Sequence, residues 1–142
     1  AVYGPTDMNN RVSQIFIQKA LNGQTINIQG KNEKLDFTYV EDLAKGCILA
    51  ATNKKGINEI FNITHGKAET LYKFVTTLSK HFENLKYKIK KRDNFRPRRG
   101  TLSIKKAKKL LNYKPDYNLE KGIKKYIEFI LSLKKKQNHE LK

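Results

Sequence analysis

The densest chemistry-bearing run in the sequence is Phe95-Arg96-Pro97-Arg98-Arg99-Gly100, where three of the five arginines of the chain fall within six residues. Basic positions elsewhere are almost all lysine. A guanidinium is planar and offers two parallel N–H donors, so it matches two phosphate oxygens at once, which a lysine ammonium cannot do. A basic loop built on arginine beside Pro97 and Gly100 therefore points to an anionic ligand. The whole chain leans the same way, with 30 Lys and Arg against 13 Asp and Glu and a formal net charge of +17. Such a charge calls for an anionic partner, whether nucleic acid, membrane surface or phosphorylated ligand, or else reflects a lysine-rich surface in a compositionally biased genome. The single cysteine, Cys47, rules out an intrachain disulfide, and with His65, His81 and His139 it shows no metal-ligand spacing.

These residues need a scaffold, and the pattern of apolar positions outlines one. Val12, Ile15, Phe16, Lys19 and Ala20 set a helical period over residues 7–21, which Gly23 stops. Residues 25–29 alternate as a half-buried strand that carries Asn27 and Gln29. A polar turn over residues 30–34 leads to a second extended segment, residues 36–40. Glu41 and Asp42 open a helix to about Thr52, expected to bury Leu43, Cys47, Ile48 and Ala51. A strand is expected over residues 59–63, and a helix over 70–82 with Leu71, Phe74, Val75 and Leu78 inward. Residues 85–89 read as an edge strand with lysines to solvent. Ser103 is placed to cap a short helix that Asn112 ends, and Asn118 to cap a last helix with Leu119, Ile123, Tyr126, Ile127, Ile130 and Leu131 on one face, fraying from Lys134. The expected fold class is α+β, helix-rich, with short strand pairs and packed helices. No apolar stretch approaches the roughly 20 residues a membrane span needs, and no signal peptide is evident, so a cytoplasmic protein is expected.

Five stretches, in order, resemble the extended short-chain dehydrogenase/reductases that epimerise or dehydrate nucleotide sugars with NAD. They are Val2-Tyr3-Gly4-Pro5, Leu21-Asn22-Gly23, Asp36-Phe37-Thr38-Tyr39-Val40-Glu41-Asp42-Leu43-Ala44 and Phe61-Asn62-Ile63. The fifth is the closing run from Arg96-Pro97 through Leu111-Asn112-Tyr113-Lys114-Pro115 to Gly122-Ile123. The resemblance covers nearly the whole chain. It implies the C-terminal substrate-binding domain of a Rossmann-type α/β enzyme over residues 1–142, with the NAD-binding domain lying upstream and outside the sequence.

That resemblance assigns roles by position. Asn10 should sit near the phosphates of a UDP- or dTDP-sugar, with Arg11 following at the helix start; capping the helix is the other role open to Asn10. Asn27 and Gln29 should lie along the base, or else simply face solvent. Arg96 should take the diphosphate, and Arg99 falls where the family often has an acid on the ribose. Leu35 stands where the family commonly has a further phosphate-binding arginine, so the adjacent Lys34 could replace it only as a point charge. Val2 is expected on the nicotinamide side of the cofactor. The Gly-x-x-Gly-x-x-Gly turn of the family is not in the sequence, whose eight glycines are scattered, and its Tyr-x-x-x-Lys pair on a helix is not found either: Tyr39, Tyr72, Tyr113 and Tyr126 each lack a lysine four residues on, while Tyr87 and Tyr117, which have Lys91 and Lys121 there, fall in an expected edge strand and ahead of the last helix. NAD is thus expected in the full-length enzyme and not in this chain alone. The chain alone should be inactive and should hold nucleotide sugar weakly or not at all. For the whole enzyme this resemblance implies a 4-epimerase, dimeric through helices mostly outside the sequence. The alternatives are a basic nucleic-acid-binding module, which the dispersed lysines and the lack of a recognition motif argue against, and a noncatalytic remnant of an enzyme.

Overall fold

A computed structural model of the chain describes residues 1–7 and 10–140. Among the described residues, three two-stranded pairs carry five helices. Strand β1 (Val2–Tyr3) runs parallel to β4 (Thr38–Tyr39), β2 (Ile26–Gln29) runs parallel to β6 (Tyr87–Lys90), and β3 (Lys34–Leu35) runs antiparallel to β5 (Glu69–Thr70). The helices are α1 (Val12–Leu21), α2 (Val40–Thr52), α3 (Leu71–Leu78), α4 (Lys105–Leu111) and α5 (Leu119–Glu140), with 3₁₀ turns at Lys54–Gly56 and Ser79–His81. Mixed helices and short strand pairs are the expected fold class.

Two apolar clusters hold these elements. The larger joins α1, β2, α3 and α5 around Phe16, Ile17, Ile28, Phe74 and Ile123, with Tyr3, Phe37, Tyr39 and Phe74 meeting edge to face or tilted. Tyr3 brings its hydroxyl into this cluster, where it has no hydrogen-bond partner among the described residues. Gly122 of α5 leaves the space for it, since a Cβ there would overlap the Tyr3 hydroxyl. The smaller cluster packs Ile104, Ala107, Leu111 and Tyr113 against Leu49, Ala50, Phe61 and Ile63. Gly46 lets α2 approach this layer, because a Cβ would overlap Ile63 and press on the Tyr113 ring.

Two buried aspartates tie the pieces together. Asp36 accepts from Gly66 N (3.2 Å) through Oδ1, and from Thr64 Oγ1 (3.1 Å) and Leu102 N (3.2 Å) through Oδ2. Asp42 accepts from Asp116 N (2.7 Å) and Tyr117 N (3.0 Å), which fixes the entry to α5 against α2. Asp42, expected only at the opening of α2, thus satisfies donors across the fold rather than at its own helix start.

The caps at Asn112 and Asn118 match expectation. Asn112 ends α4 in the left-handed conformation at φ 55°, and the Asn118 carboxamide accepts from Lys121 N at 2.9 Å. Other boundaries differ. Helix α1 begins at Val12, not Asp7, because Asn10 takes φ 50° and turns the chain ahead of it. Residues 59–63 form no strand; the segment packs Phe61 and Ile63 onto the smaller cluster without a ladder partner. The expected extended segment 36–40 divides, with Thr38 and Tyr39 as strand and Val40 already helical. Helix α2 turns a different face inward: Asp42 and Gly46 are buried, whereas Cys47, Ala51 and Ile48 (62% exposed) look outward. Ser103 does not cap α4, whose cap residue is Ile104. Leu131 is exposed, and α5 continues past Lys134 to Glu140.

Candidate functional site

A cleft of about 500 Å³ opens where α1, β2, β3 and the segment after β6 meet. That is an ordinary size for a small-molecule site. All seven residues expected to contact substrate line it: Asn10, Arg11, Asn27, Gln29, Lys34, Arg96 and Arg99. Asn9, the residue before Asn10, lies outside the described residues.

Each element delivers its residue for a local reason. Asn10 and Arg11 immediately precede α1; Arg11 is the cap residue of the helix and Asn10 is not, although the Asn10 backbone N–H is taken by the Gln14 carboxamide at 2.8 Å. The alternation of β2 buries Ile26 and Ile28 and turns Asn27 and Gln29 to the other face, which forms the cleft floor. Lys34 comes from β3, whose antiparallel partner is β5, directly ahead of α3. Arg96 and Arg99 come from the loop after β6. Arg96 donates from Nη1 to the Gln29 side chain at 3.0 Å, and its Nε lies 3.5 Å from Asp93 Oδ2.

The sequence reading missed three further residues of this cleft: Glu33, Arg92 and Asp93. Arg92 donates from Nε to Glu33 Oε1 at 2.7 Å, from Nη1 to Asp93 O at 2.9 Å, and from Nη2 to Arg96 O. Asp93 accepts at Oδ1 from both Phe95 N (3.2 Å) and Arg96 N (3.0 Å), a side-chain-closed turn. The signal for Arg92 is its type, an arginine just after a lysine-rich strand. The cleft holds Arg11, Lys34, Arg92, Arg96 and Arg99 against Glu33 and Asp93, five cations to two carboxylates, and thus an excess of three positive charges. Such a surface favours a multiply charged anion with one polar, hydrogen-bonding end.

Val2 stands apart from this cleft. It lines a shallower groove with Tyr3, Gly4, Pro5, Val40 and Leu43, and Arg11 borders both. Among the described residues no helix is entered through a run of glycines, and this groove is mostly apolar, so the residues present do not fit a dinucleotide pyrophosphate. No group of three His, Cys, Asp or Glu able to hold a metal occurs among the described residues. No described helix is long and apolar enough to cross a membrane.

Residues 1–64 match the family described as NAD dependent epimerase/dehydratase. The UDP-glucuronic acid 4-epimerase of Bacillus cereus, solved with UDP-glucuronic acid and NAD, superposes over 94% of this chain and 43% of its own, with a TM-score of 0.84 and 26% identity. Over residues 1–64 in sequence and across nearly the whole chain in fold, this chain is similar to the NAD-dependent epimerase/dehydratase family. Among epimerases of the family, the UDP-glucose 4-epimerase of Thermotoga maritima, solved with UDP-glucose, shows 30% identity and a TM-score of 0.77 over 93% of this chain and 44% of its own. UDP-glucuronate 4-epimerase 5 of Arabidopsis thaliana is 32% identical over 92% of this chain. The chain spans about a third of the length of that relative (34%), and less than half of each of the two solved epimerases.

Proposed function

We propose that this chain is the nucleotide-sugar-binding portion of an NAD-dependent sugar epimerase, most closely of the 4-epimerase kind acting on a UDP-sugar. The observation that carries the reading is the convergence of Arg11, Arg96, Arg99 and Lys34 with Asn27 and Gln29 in one cleft. A nucleoside diphosphate sugar has the matching parts. Its diphosphate suits the arginine forks, and its base, with donor and acceptor edges, suits the carboxamides of β2. The names of the similar proteins, which bind or epimerise UDP-sugars, favour uridine over other bases.

On this reading Arg96 takes the diphosphate, Asn10 and Arg11 sit beside it at the start of α1, and Asn27 and Gln29 read the base. Lys34 and Arg99 flank the ribose and phosphates, and Val2 faces the cofactor across the second groove. The hydride chemistry that NAD supplies in this family would come from sequence outside the chain. By itself the chain would neither bind NAD nor turn over a sugar, and in the complete enzyme it would work against a Rossmann domain, in a homodimer.

Titration of the chain with UDP, followed through backbone amide resonances, tests this. The expected result is weak saturable binding with shifts at Asn10, Asn27, Gln29 and Arg96. Arg96→Gln should weaken it about tenfold, the worth of one charge-assisted hydrogen bond. Uridine should bind less well than UDP, and NAD should produce no saturable shift. Shifts confined to residues outside the cleft would refute the assignment.

A further inference from the structure

We infer that Arg92 is a positioning residue for the anion site: a clasp that presents Arg96 without itself being the ligand contact. The inference rests on the reading of the cleft as a diphosphate site and concerns how that site is ordered. Arg96 is mostly exposed on a loop, and an unrestrained arginine loses side-chain entropy when it binds. The structure shows what restrains it. The Arg92 guanidinium is mostly covered and spans the turn that follows it, donating to the carbonyls of both Asp93 and Arg96. Oδ1 of Asp93 closes the same turn from inside through the N–H groups of Phe95 and Arg96.

The clasp is anchored to the rest of the fold through Glu33. Its carboxylate receives Arg92 Nε at 2.7 Å, with both side chains about three-quarters covered (26% and 24% exposed). Glu33 is itself fixed at two points: its N–H donates to Gly30 O at 3.0 Å, and its carbonyl accepts from Leu71 N at 2.8 Å at the start of α3. The Gly30 N–H in turn closes the β2/β6 ladder on Lys90 O at 3.0 Å. Gly30 has φ 81° and no Cβ, and a Cβ there would press into both Glu33 and Arg92. Position 96 is therefore connected by hydrogen bonds to β2, β6 and α3, and its backbone sits where the side chain reaches Gln29. A guanidinium is required at position 92 because three donors on one plane serve three acceptors; a lysine keeps the charge and loses that geometry.

The test uses the whole chain with UDP as probe, comparing wild type with Arg92→Lys, Glu33→Gln and Arg96→Gln. Amide hydrogen exchange and the urea midpoint are measured on each protein. For Arg92→Lys the expected result is lost protection at the Phe95 and Arg96 amides, retained protection at Ile28 and Phe74, and UDP affinity reduced about tenfold, as for loss of one charge-assisted hydrogen bond. Glu33→Gln keeps an acceptor for Nε and should fall between wild type and Arg92→Lys. If Arg92→Lys binds UDP as tightly as wild type while Arg96→Gln does not, the clasp is overturned and the diphosphate site stands. Protection lost throughout Arg92→Lys would mark a general fold defect and also overturn the clasp. If the wild-type chain shows no saturable response to UDP, the diphosphate site fails and the clasp with it.

Discussion

Substitution of Asp36 offers the sharpest test of how the loop bearing Arg96 and Arg99 is held to the body of the protein. The carboxylate is 4% exposed and serves three donors. Those donors differ in what they have left when it is removed. Gly66 N also lies 3.2 Å from Thr64 Oγ1, so it keeps a partner, whereas Leu102 N has only Asp36 and the Thr64 hydroxyl loses its acceptor. In Asp36→Ala two donors are stranded at about 1–3 kcal/mol each, so a loss of about 2–6 kcal/mol is expected. In Asp36→Asn the amide oxygen can take the place of Oδ2 and serve Thr64 and Leu102, while the amide nitrogen displaces only the replaceable Gly66 bond. The expected loss is about 1 kcal/mol. Urea unfolding followed by circular dichroism measures both, and hydrogen exchange at the Leu102 amide reports the local anchor. The expected order is wild type, then Asn, then Ala, with Leu102 protected in Asn and exchanging in Ala. Equal losses for Asn and Ala, or an Ala variant as stable as wild type, would refute the reasoning.

Three further outcomes follow from the packing. Gly122→Ala should destabilise the fold by about 1–3 kcal/mol despite the better helix propensity of alanine, because the new methyl meets the Tyr3 hydroxyl inside the aromatic cluster; a rise in thermal midpoint would contradict this. Burial raises the phenols of Tyr39, Tyr113 and Tyr126 to about 12, and the hydrogen bond to Glu41 does the same for Tyr117. The stability that comes from keeping them neutral is complete below the ordinary tyrosine range of about 10 and is lost as pH rises from there. Phenolate absorbance should therefore appear late and together with unfolding, and early ionisation of all seven tyrosines in a folded chain would contradict it. Cys47 should react with a thiol reagent in the native state at a rate close to that in urea, since it faces outward from α2; strong native protection would place α2 differently.

Much of the scaffold was legible because local chemistry decides it. Asn112 can take the left-handed conformation that ends α4, Asn118 carries the acceptor that starts α5, and the 3.6-residue spacing of Leu71, Phe74, Val75 and Leu78 selects the buried face of α3. The seven cleft residues were found because a family pattern places them; nothing local in Asn27 or Lys34 distinguishes a ligand contact from a solvated position. What failed depends on distant partners. Helix α2 is apolar on several sides, so its periodicity could not choose between the Leu43-Cys47-Ile48 face and the Gly46 face; the choice is made by Ile63 and Tyr113, which need the space that Gly46 leaves. The run Glu59–Ile63 has strand-like composition, but a strand exists only with a ladder partner. Arg92 was overlooked because its three acceptors, on Glu33, Asp93 and Arg96, come together only after β2 and β6 pair.

The central claim is that the arginine-lined cleft holds the diphosphate of a uridine nucleotide, and a crystal structure of the chain grown with saturating UDP tests it most directly. The account predicts phosphate oxygens within hydrogen-bonding distance of the Arg96 guanidinium and the uracil edge along Asn27 and Gln29. UDP seated on another surface, with Arg96 still bonded only to Gln29 and Asp93, would contradict it.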